Sequence, residues 1–336
     1  AKLEASDSSP SDNFGRSVAL RDDTALIGAF GAGDNGSTRG AAYVFTRDGQ
    51  GDWTERSKLS SSDGHWGDRF GYAVALQGDT ALISAPGANS SPSGPGPGVV
   101  YVFTREGAGK WTEVAKLQAS DGLEDDEFGY AVALDGDIAL IAAPSDDGNG
   151  EDSGSAYIFI RNEAGHWLEQ AKLLNLDGSA WDHFGRSVAL DGTTALISAD
   201  GDDDIGSVHV FDYNSAGQWT ERDKILASDG AAGDVFGASI ATTDRAAVIG
   251  AYGDEYNGWG SGAAYVYTQD GEGKWTEKAK LLASDRASDD QFGNSIAIDG
   301  NTIIVGAFAN DDDGTNSGSA YVFSLATTKY VWTMVG

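Results

Sequence analysis

Clusters of neighbouring carboxylates occur at several variable positions of the chain, in segments that read as loops. They are Asp146-Asp147, Asp202-Asp203-Asp204, Asp254-Glu255 and Asp311-Asp312-Asp313. Calcium takes six to eight oxygen ligands, which carboxylates and backbone carbonyls can supply together. We therefore predict Asp202, Asp204, Asp311 and Asp313 as metal ligands, with calcium as the candidate cofactor. The alternative is a set of solvated loop acids, because the D-x-D-x-D-G spacing of a calcium loop does not occur.

Aromatic residues outside any repeated pattern form a second set of candidates. Three of the nine tryptophans, Trp66, Trp181 and Trp259, stand in polar segments, and Tyr256 lies close to Trp259 in the sequence. A ring flanked by Asp and Asn suits carbohydrate binding, because the ring stacks on a sugar face while carboxylates accept its hydroxyl groups. We predict these four residues as ligand-binding. The alternative is that each ring folds over its own loop.

A catalytic constellation is harder to find. The four histidines show no zinc-ligand spacing, and no serine occupies a G-x-S-x-G elbow. Carboxylates are so numerous that sequence alone cannot single out one acid and base pair. The sequence therefore predicts no catalytic residues and a chain that is not an enzyme, with a polysaccharide hydrolase as the least favoured alternative.

The elements that position these residues follow from an internal repeat. A Phe-Gly pair recurs at Phe14, Phe70, Phe128, Phe184, Phe236 and Phe292, with steps of 56, 58, 56, 52 and 56 residues. Each unit continues with a segment like SVAL, a turn, TALIGA, a variable loop, AYVF, a turn and WTExxKL. A period of this length indicates a solenoid or a propeller, and it spans residues 1–336 as one predicted domain.

Each unit holds four short apolar stretches separated by turn residues, which predicts a four-stranded antiparallel sheet. The second stretch, such as 25–29, is apolar at successive positions, so both of its faces must be covered by neighbouring sheets. Small residues dominate strands 1 and 2, while aromatic residues dominate strands 3 and 4. Blades that diverge from an axis need this gradient, so the sequence predicts an all-β fold, a six-bladed β-propeller.

The ends of the chain add to this prediction. The last unit reaches Trp332-Thr333-Met334 without the Lys-Leu that ends the other fourth strands, and the chain begins with Lys2-Leu3. We predict that the N-terminus completes the last blade. A strand exchanged between copies in the same way would allow self-association.

The repeated unit resembles the FG-GAP repeat of the integrin alpha-subunit propeller and its bacterial relatives. The pattern is carried by Phe70-Gly71 with Ser84-Ala85-Pro86 and by Phe14-Gly15 with Gly28-Ala29-Phe30, and it covers essentially the whole chain. The resemblance implies calcium in a loop between strands 1 and 2. Here that connection is a tight turn such as Asp135-Gly136-Asp137, so the family's calcium sites are not carried over.

Two further acids recur in every unit, seven and two residues before the Phe. They are Asp7 and Asp12, Asp63 and Asp68, Asp121 and Asp126, Asp177 and Asp182, Asp229 and Asp234, and Asp285 and Asp290. Presence in all six units favours a scaffold role, with carboxylates that accept backbone N–H groups at the turn into strand 1. The loops that join strand 4 of one unit to strand 1 of the next (4-1 loops) and strand 2 to strand 3 (2-3 loops) emerge on one side of a sheet. We call this side the acidic face. It carries 31 of the 52 Asp and Glu residues and attracts cations.

Composition excludes several function classes. The formal net charge of -30 argues against nucleic acid and anionic membranes as partners. The chain has no cysteine and no apolar run long enough to span a bilayer. The resemblance to the integrin propeller implies an extracellular or cell-surface binding and adhesion module, which we predict to be non-catalytic. Its glycan or protein ligand would bind on the acidic face, and the alternative is a structural subunit of a surface layer or filament.

Overall fold

The computed structural model describes residues 1–34, 37–89, 96–107, 109–243, 245–255, 258–312 and 314–325. These residues form six antiparallel sheets, which we call blades 1 to 6, with strands 1 to 4 in chain order within each blade. Three strands of blade 6 lie within the described residues, where the only helical element is a 3-10 turn at Asp202–Asp204.

The first three blades contain the following strands. Blade 1 has β1 (Ser17–Arg21), β2 (Thr24–Ala29), β5 (Ala41–Arg47) and β6 (Trp53–Leu59), with a small hairpin of β3 (Gly33–Asp34) and β4 (Ser37–Thr38) in its 2-3 loop. Blade 2 has β7 (Val74–Gln77), β8 (Thr80–Ala85), β9 (Val99–Glu106) and β10 (Lys110–Leu117). Blade 3 has β11 (Val132–Asp135), β12 (Ile138–Ala143), β13 (Ser155–Arg161) and β14 (Trp167–Leu173).

The other blades follow the same order. Blade 4 has β15 (Phe184–Asp191), β16 (Thr194–Ala199), β17 (Ser207–Tyr213) and β18 (Trp219–Ile225). Blade 5 has β19 (Phe236–Thr243), β20 (Ala246–Ala251), β21 (Ala263–Gln269) and β22 (Trp275–Leu281). Blade 6 has β23 (Phe292–Asp299), β24 (Thr302–Ala307) and β25 (Ser319–Ser324). The predicted fold class, an all-β six-bladed propeller of four-stranded antiparallel blades, is confirmed.

The chain packs as two compact units, Ala1–Leu173 with blades 1 to 3 and Leu174–Gly336 with blades 4 to 6. The single domain predicted from the repeat stays a prediction. The predicted completion of the last blade also stays a prediction, because Trp332 and its neighbours lie outside the described residues. Residues 1–5, the other partner in that prediction, form no strand.

Within each unit, cores lie between neighbouring blades. In blade 1 every residue of β2 is buried, whereas β6 alternates between exposed and half-buried positions, so the inner strand is covered on both faces and the outer strand on one. Leu26 and Val44 of blade 1 share a core with Val74 and Ile83 of blade 2. Blades 4 and 5 share an equivalent core. Apolar burial of this kind is the main favourable contribution to folding.

The two residues of the Phe-Gly pair have different structural roles. The Phe is fully buried in blades 2 to 6 and packs edge to face on the aromatic residue in strand 3, as Phe70 does on Tyr101 at 5.4 Å between ring centroids. The glycine has a positive φ, which is 89° for Gly71, and its Cβ position would lie 2.2 Å from the carbonyl oxygen of Ala41 in blade 1. Only glycine allows the two blades to approach this closely.

Removing one of these rings should be costly. Phe236 packs edge to face on Tyr265 and Tyr267, and we expect Phe236→Ala to lower the free energy of unfolding by about 3–5 kcal/mol because it leaves a cavity in the core. Urea unfolding followed by tryptophan fluorescence measures this. Leu176→Ala, at a side chain that is 83% exposed, is the control and should change stability by less than about 0.5 kcal/mol. Equal effects of the two variants would contradict the packing role.

Candidate functional site

The acid seven residues before each Phe belongs to a repeated cluster of three side chains. In blade 1, Asp7 accepts hydrogen bonds from the Tyr43 hydroxyl at 2.8 Å and from Lys58 Nζ at 2.5 Å. The equivalent groups in blades 2, 3 and 5 are Asp63 with Tyr101 and Lys116, Asp121 with Tyr157 and Lys172, and Asp229 with Tyr265 and Lys280. In blade 6 Asp285 accepts from Tyr321. This acid therefore binds side chains rather than the backbone N–H groups that we predicted.

The acid two residues before each Phe has the predicted backbone role. Its carboxylate accepts the N–H of the residue three positions earlier at 2.6–2.7 Å in all six units. The six acids are Asp12, Asp68, Asp126, Asp182, Asp234 and Asp290, and all are buried. These carboxylates hold the turn into strand 1, so the scaffold prediction is confirmed for this position.

A third position, three residues after strand 2, varies between the blades. Its carbonyl accepts the N–H of a glycine before strand 3 in every blade, which shows that the six positions are equivalent. The residues are Ala32, Ala88, Asp146, Asp202, Asp254 and Asn310, and all are buried. Where the residue is an acid, the lysine gains a second carboxylate: Lys172 Nζ lies 2.8 Å from Asp146 and Lys280 Nζ lies 2.7 Å from Asp254.

Blade 1 has an alanine at this position and a cavity beside it. The cavity has a volume of about 570 Å³ and is lined by Asp7, Ala32, Gly33, Arg39, Gly40, Lys58, Ser60 and Ser61. Lys58 is one-third exposed and is paired with the carboxylate of Asp7, whereas Lys172 is paired with two carboxylates. Two cations, two serines and glycine backbone therefore surround a space large enough for a small ligand.

The charges at this cavity are fixed near neutral pH. Burial opposes the charge on Lys58, but hydrogen bonds with Asp7 and Tyr43 outweigh it and raise the pKa of Lys58. The hydrogen bond from Lys58 lowers the pKa of Asp7. Burial, assisted by Asp7, raises the pKa of Tyr43 to about 12. The site thus holds a protonated lysine, an ionised aspartate and a neutral phenol.

Blade 4 carries a different network, because His209 occupies the place of the tyrosine. Its Nε2 lies 3.0 Å from Ser207 Oγ, and its Nδ1 lies 2.7 Å from Glu221 Oε1. Ser207 Oγ donates to Asp202 at 2.5 Å, and both Ser207 and His209 are fully buried. A buried hydroxyl that already donates to a carboxylate is closed to substrate, so this Ser-His-Glu sequence of contacts is a structural network. The sequence signal that could have revealed it is histidine in place of tyrosine in one of six equivalent strands.

The three unusual tryptophans lie at the surface. Trp66 and Trp259 are each 72% exposed and Trp181 is 51% exposed, so none is buried beneath its loop. Trp66 belongs to the first compact unit, and Trp181 and Trp259 belong to the second. Tyr256 lies outside the described residues. The ligand-binding role of these four residues stays a prediction.

The predicted metal ligands have other partners where they are described. The Asp202 carboxylate lies 2.7 Å from Lys224 Nζ, and Asp311 Oδ1 accepts the N–H of Asn316 at 2.6 Å. The backbone carbonyl of Asp204 accepts the N–H of Gly233, and Asp313 lies outside the described residues. Among the residues that the structure describes, no three or more His, Asp or Glu side chains form a group suited to a metal ion. Calcium binding stays a prediction.

Sequence reasoning missed the blade 1 cavity. Lys58 belongs to the repeated WTExxKL segment, which reads as scaffold, and Arg39 is one of few bases on the acidic face. The signal was present in the third position, where Ala32 replaces the acid of blades 3 to 5. The meaning of this difference became clear only from the structure, in which the acid at this position contacts the lysine.

The chain matches a family model over its repeats and, over about half of its length, one curated protein. The FG-GAP repeat model matches residues 1–45, 53–103, 111–159, 167–211, 219–267 and 275–323. Integrin alpha-6 of Gallus gallus is 31% identical over 188 residues, which are 51% of this chain and 16% of that protein. The match thus spans about a sixth of the length of this curated relative. No helix in the described ranges is long and apolar enough to cross a membrane.

Solved structures resemble the chain in fold. A putative 6-phosphogluconolactonase from Bacteroides uniformis has a TM-score of 0.62 at 12% identity, covering 96% of this chain and 84% of that chain. A periplasmic gluconolactonase from Pseudomonas aeruginosa has a TM-score of 0.59 at 13% identity, covering 95% and 84%. A protein from Lactobacillus plantarum has a TM-score of 0.61 at 14% identity, covering 96% and 84%. Identities this low show the shared fold.

These structures correct the functional prediction. The non-catalytic binding and adhesion module, and with it the expectation that the chain is not an enzyme, rested on the absence of a recognisable catalytic pattern in a repeat fold. That inference is wrong, because proteins with this fold over nearly the whole chain are named as gluconolactonases. Catalysis on such a fold depends on individual residues at one site and leaves no trace in the repeat.

One acid of the scaffold should make stability depend on pH. Burial, with a contribution from Asp146, raises the pKa of Asp126 to about 6. The ionised form therefore destabilises the folded state, and this penalty is absent below the unfolded-state pKa near 3.8 and complete above about pH 6. We expect Asp126→Asn, whose amide oxygen still accepts the Leu123 N–H, to raise the free energy of unfolding at pH 7 by about 1 kcal/mol and to leave it unchanged at pH 3.5.

Urea unfolding at the two pH values measures this difference. Asp121→Asn in the same loop is the matched control. Burial opposes the charge on Asp121, but hydrogen bonds from Lys172 and Tyr157 outweigh it and lower the pKa of Asp121, so loss of this carboxylate should destabilise the fold at pH 7. A gain from Asp126→Asn that is the same at both pH values would show that ionisation of this carboxyl is not the cause.

Proposed function

The chain belongs to the FG-GAP repeat family, and we propose that it is a hydrolase that opens a small sugar lactone in the cavity of blade 1. The observation that carries this proposal is the lining of the cavity beside Ala32, which stands in place of the buried acid of blades 3 to 5, as Ala88 does in blade 2. The substitution coincides with a cavity of about 570 Å³ in which Lys58 has one carboxylate partner. The lactonase names of proteins with the same fold support the reaction class.

The lining of the cavity suits an oxygen-rich and electron-rich ligand. Arg39 and Lys58 carry positive charge, and Ser60 and Ser61 offer hydroxyl groups that both donate and accept hydrogen bonds. The glycines at positions 33 and 40 also line the cavity. A sugar lactone presents a polarised carbonyl and several hydroxyls, which match cations and small polar side chains.

The chemistry requires a base and a stabiliser of negative charge. Water adds to the lactone carbonyl carbon, and the carboxylate of Asp7 accepts a proton from that water. The negative charge that develops on the carbonyl oxygen is stabilised by the ammonium of Lys58 and the guanidinium of Arg39. The ring C–O bond then breaks, the ring oxygen takes up a proton, and the product is an open-chain hydroxy acid that ionises at neutral pH.

We further propose that the protein works outside the cytoplasm. Support comes from the FG-GAP match with integrin alpha-6 and from the periplasmic location named for one gluconolactonase of the same fold. The same integrin match supports a protein as a larger partner.

Substitution of Lys58 tests the proposed hydrolysis most directly. We expect the wild-type chain to accelerate proton release from gluconolactone or 6-phosphogluconolactone in a pH-stat assay. Lys58→Met should lower kcat/KM by about 100-fold or more, because it removes a cation from the developing oxyanion.

Lys116→Met is the matched control. Lys116 forms the same cluster with Asp63 and Tyr101 in blade 2 and does not line the blade 1 cavity, so both variants lose one partly exposed ion pair. The control should lose similar stability and keep its activity. Absence of hydrolysis of both lactones by the wild-type chain, or equal losses in the two variants, would overturn the proposal.

A further inference from the structure

Blade 1 differs from the other blades at a second position beside its cavity. In every blade a glycine before strand 3 donates its N–H to the carbonyl of the third position, so the residue before this glycine is equivalent in all six blades. It is Arg39 in blade 1 and Pro97, Ser153, Ile205, Ser261 and Ser317 in blades 2 to 6. Blade 1 alone has a cation at this position, and Arg39 lines the cavity.

Two hydroxyl groups are also specific to blade 1. The residues that follow its strand 4 are Ser60 and Ser61, and both line the cavity. The equivalent pairs in blades 2 to 5 are Gln118-Ala119, Leu174-Asn175, Leu226-Ala227 and Leu282-Ala283. The cavity therefore combines a guanidinium and two adjacent hydroxyl groups at positions where those blades have neither.

These differences reverse the charge of the cluster. In blade 3 Lys172 is paired with two carboxylates, so these three charged groups have a net charge of −1. Among the described residues that line the cavity of blade 1, the charged ones are Asp7, Lys58 and Arg39, with a net charge of +1. A locally positive cavity favours an anionic ligand, because the closest charges dominate the interaction.

The positive charge that a ligand meets lies mainly on Arg39. Asp7 and Lys58 compensate each other at 2.5 Å, whereas Arg39 is exposed. Asp68 also interacts with Arg39, but it is buried, accepts the N–H of His65 at 2.6 Å and does not line the cavity. The planar guanidinium presents paired N–H groups that match the two oxygens of a carboxylate.

We infer that the cavity of blade 1 is a sugar-acid site, which holds an open-chain polyhydroxy carboxylate more tightly than the neutral lactone. The inference rests on the proposed function for the identity of the sugar. Ring opening and loss of a proton to solvent convert a neutral substrate into an anion, which cancels the net charge of the lining. The product carboxylate takes the place of the transient oxyanion beside Lys58 and Arg39, and the two serines bind hydroxyl groups. The product therefore inhibits the reaction.

Isothermal titration calorimetry with gluconate and glucitol at pH 7 tests this preference. The two probes share a six-carbon polyhydroxy chain, and gluconate has a carboxylate where glucitol has a hydroxymethyl group. We expect gluconate to bind at least about 10-fold more tightly, because its hydrogen bonds to Arg39 and Lys58 are charge-assisted. This preference should shrink at 1 M salt, because both cations are partly exposed and are screened.

Arg39→Gln tests the assignment of the carboxylate partner. We expect it to lower the affinity for gluconate by about 10-fold and to leave the affinity for glucitol nearly unchanged, because it removes a charged donor. Arg56→Gln is the matched control, since Arg56 is an exposed residue in strand 4 of the same blade and does not line the cavity. Equal losses in the two variants would show an effect of total charge and would overturn the inference.

The pH-stat assay separates this inference from the proposed function. Gluconate binding that depends on Arg39, without hydrolysis of either lactone, would support the sugar-acid site and overturn the hydrolase. Hydrolysis of a lactone, together with equal affinities for gluconate and glucitol, would support the hydrolase and overturn the sugar-acid site. A wild-type chain that binds no gluconate at millimolar concentration would also overturn the sugar-acid site.

Discussion

The structure depends on a hydrogen-bonded cluster that joins three distant parts of the repeat in blades 1, 2, 3 and 5. An aspartate in the loop before strand 1 binds a tyrosine 36 residues later in blades 1, 3, 5 and 6 and a lysine 51 residues later in blades 1, 3 and 5. The cluster forms only when strands 3 and 4 and the preceding loop are in place, so it links local turns to the register of the sheet. Removing one member of such a partly buried pair leaves a charge without compensation, which costs more than the pair contributes.

This dependence assigns most of the recurring acids to the fold. They bind backbone N–H groups, tyrosines and lysines, and Asp7 is the member of the set that we propose also acts as a base, because it lines the cavity of blade 1. Variation between repeats is therefore more informative than repetition. At the third position the series from Ala32 to Asn310 changes how many carboxylates a lysine meets, and the cavity of blade 1 opens beside an alanine at that position.

The sequence allowed the fold to be predicted in detail because its signals are local or periodic. The Phe-Gly period located the blades, the continuous apolar run of strand 2 required cover on both faces, and the acid two residues before Phe indicated a turn carboxylate. The candidate site was not predictable in the same way. Lys58 and Ala32 lie 26 positions apart in the sequence, and this spacing does not show that they line one cavity. The network of His209 could not be predicted either, because it depends on Ser207 in the same strand and on Glu221 in the neighbouring strand.

Net charge does not describe the candidate site, for a physical reason. A total of -30 describes the field beyond about one Debye length, where salt already screens it. Within a cavity the nearest groups dominate, and in blade 1 these are an ammonium with one carboxylate partner and a neighbouring guanidinium. A strongly acidic protein can therefore hold a locally cationic site, and the same acidity that excluded nucleic acid said nothing about a small electron-rich ligand. The cavity beside Ala32, one of three positions of the six equivalent ones that lack an acid, was the more informative observation.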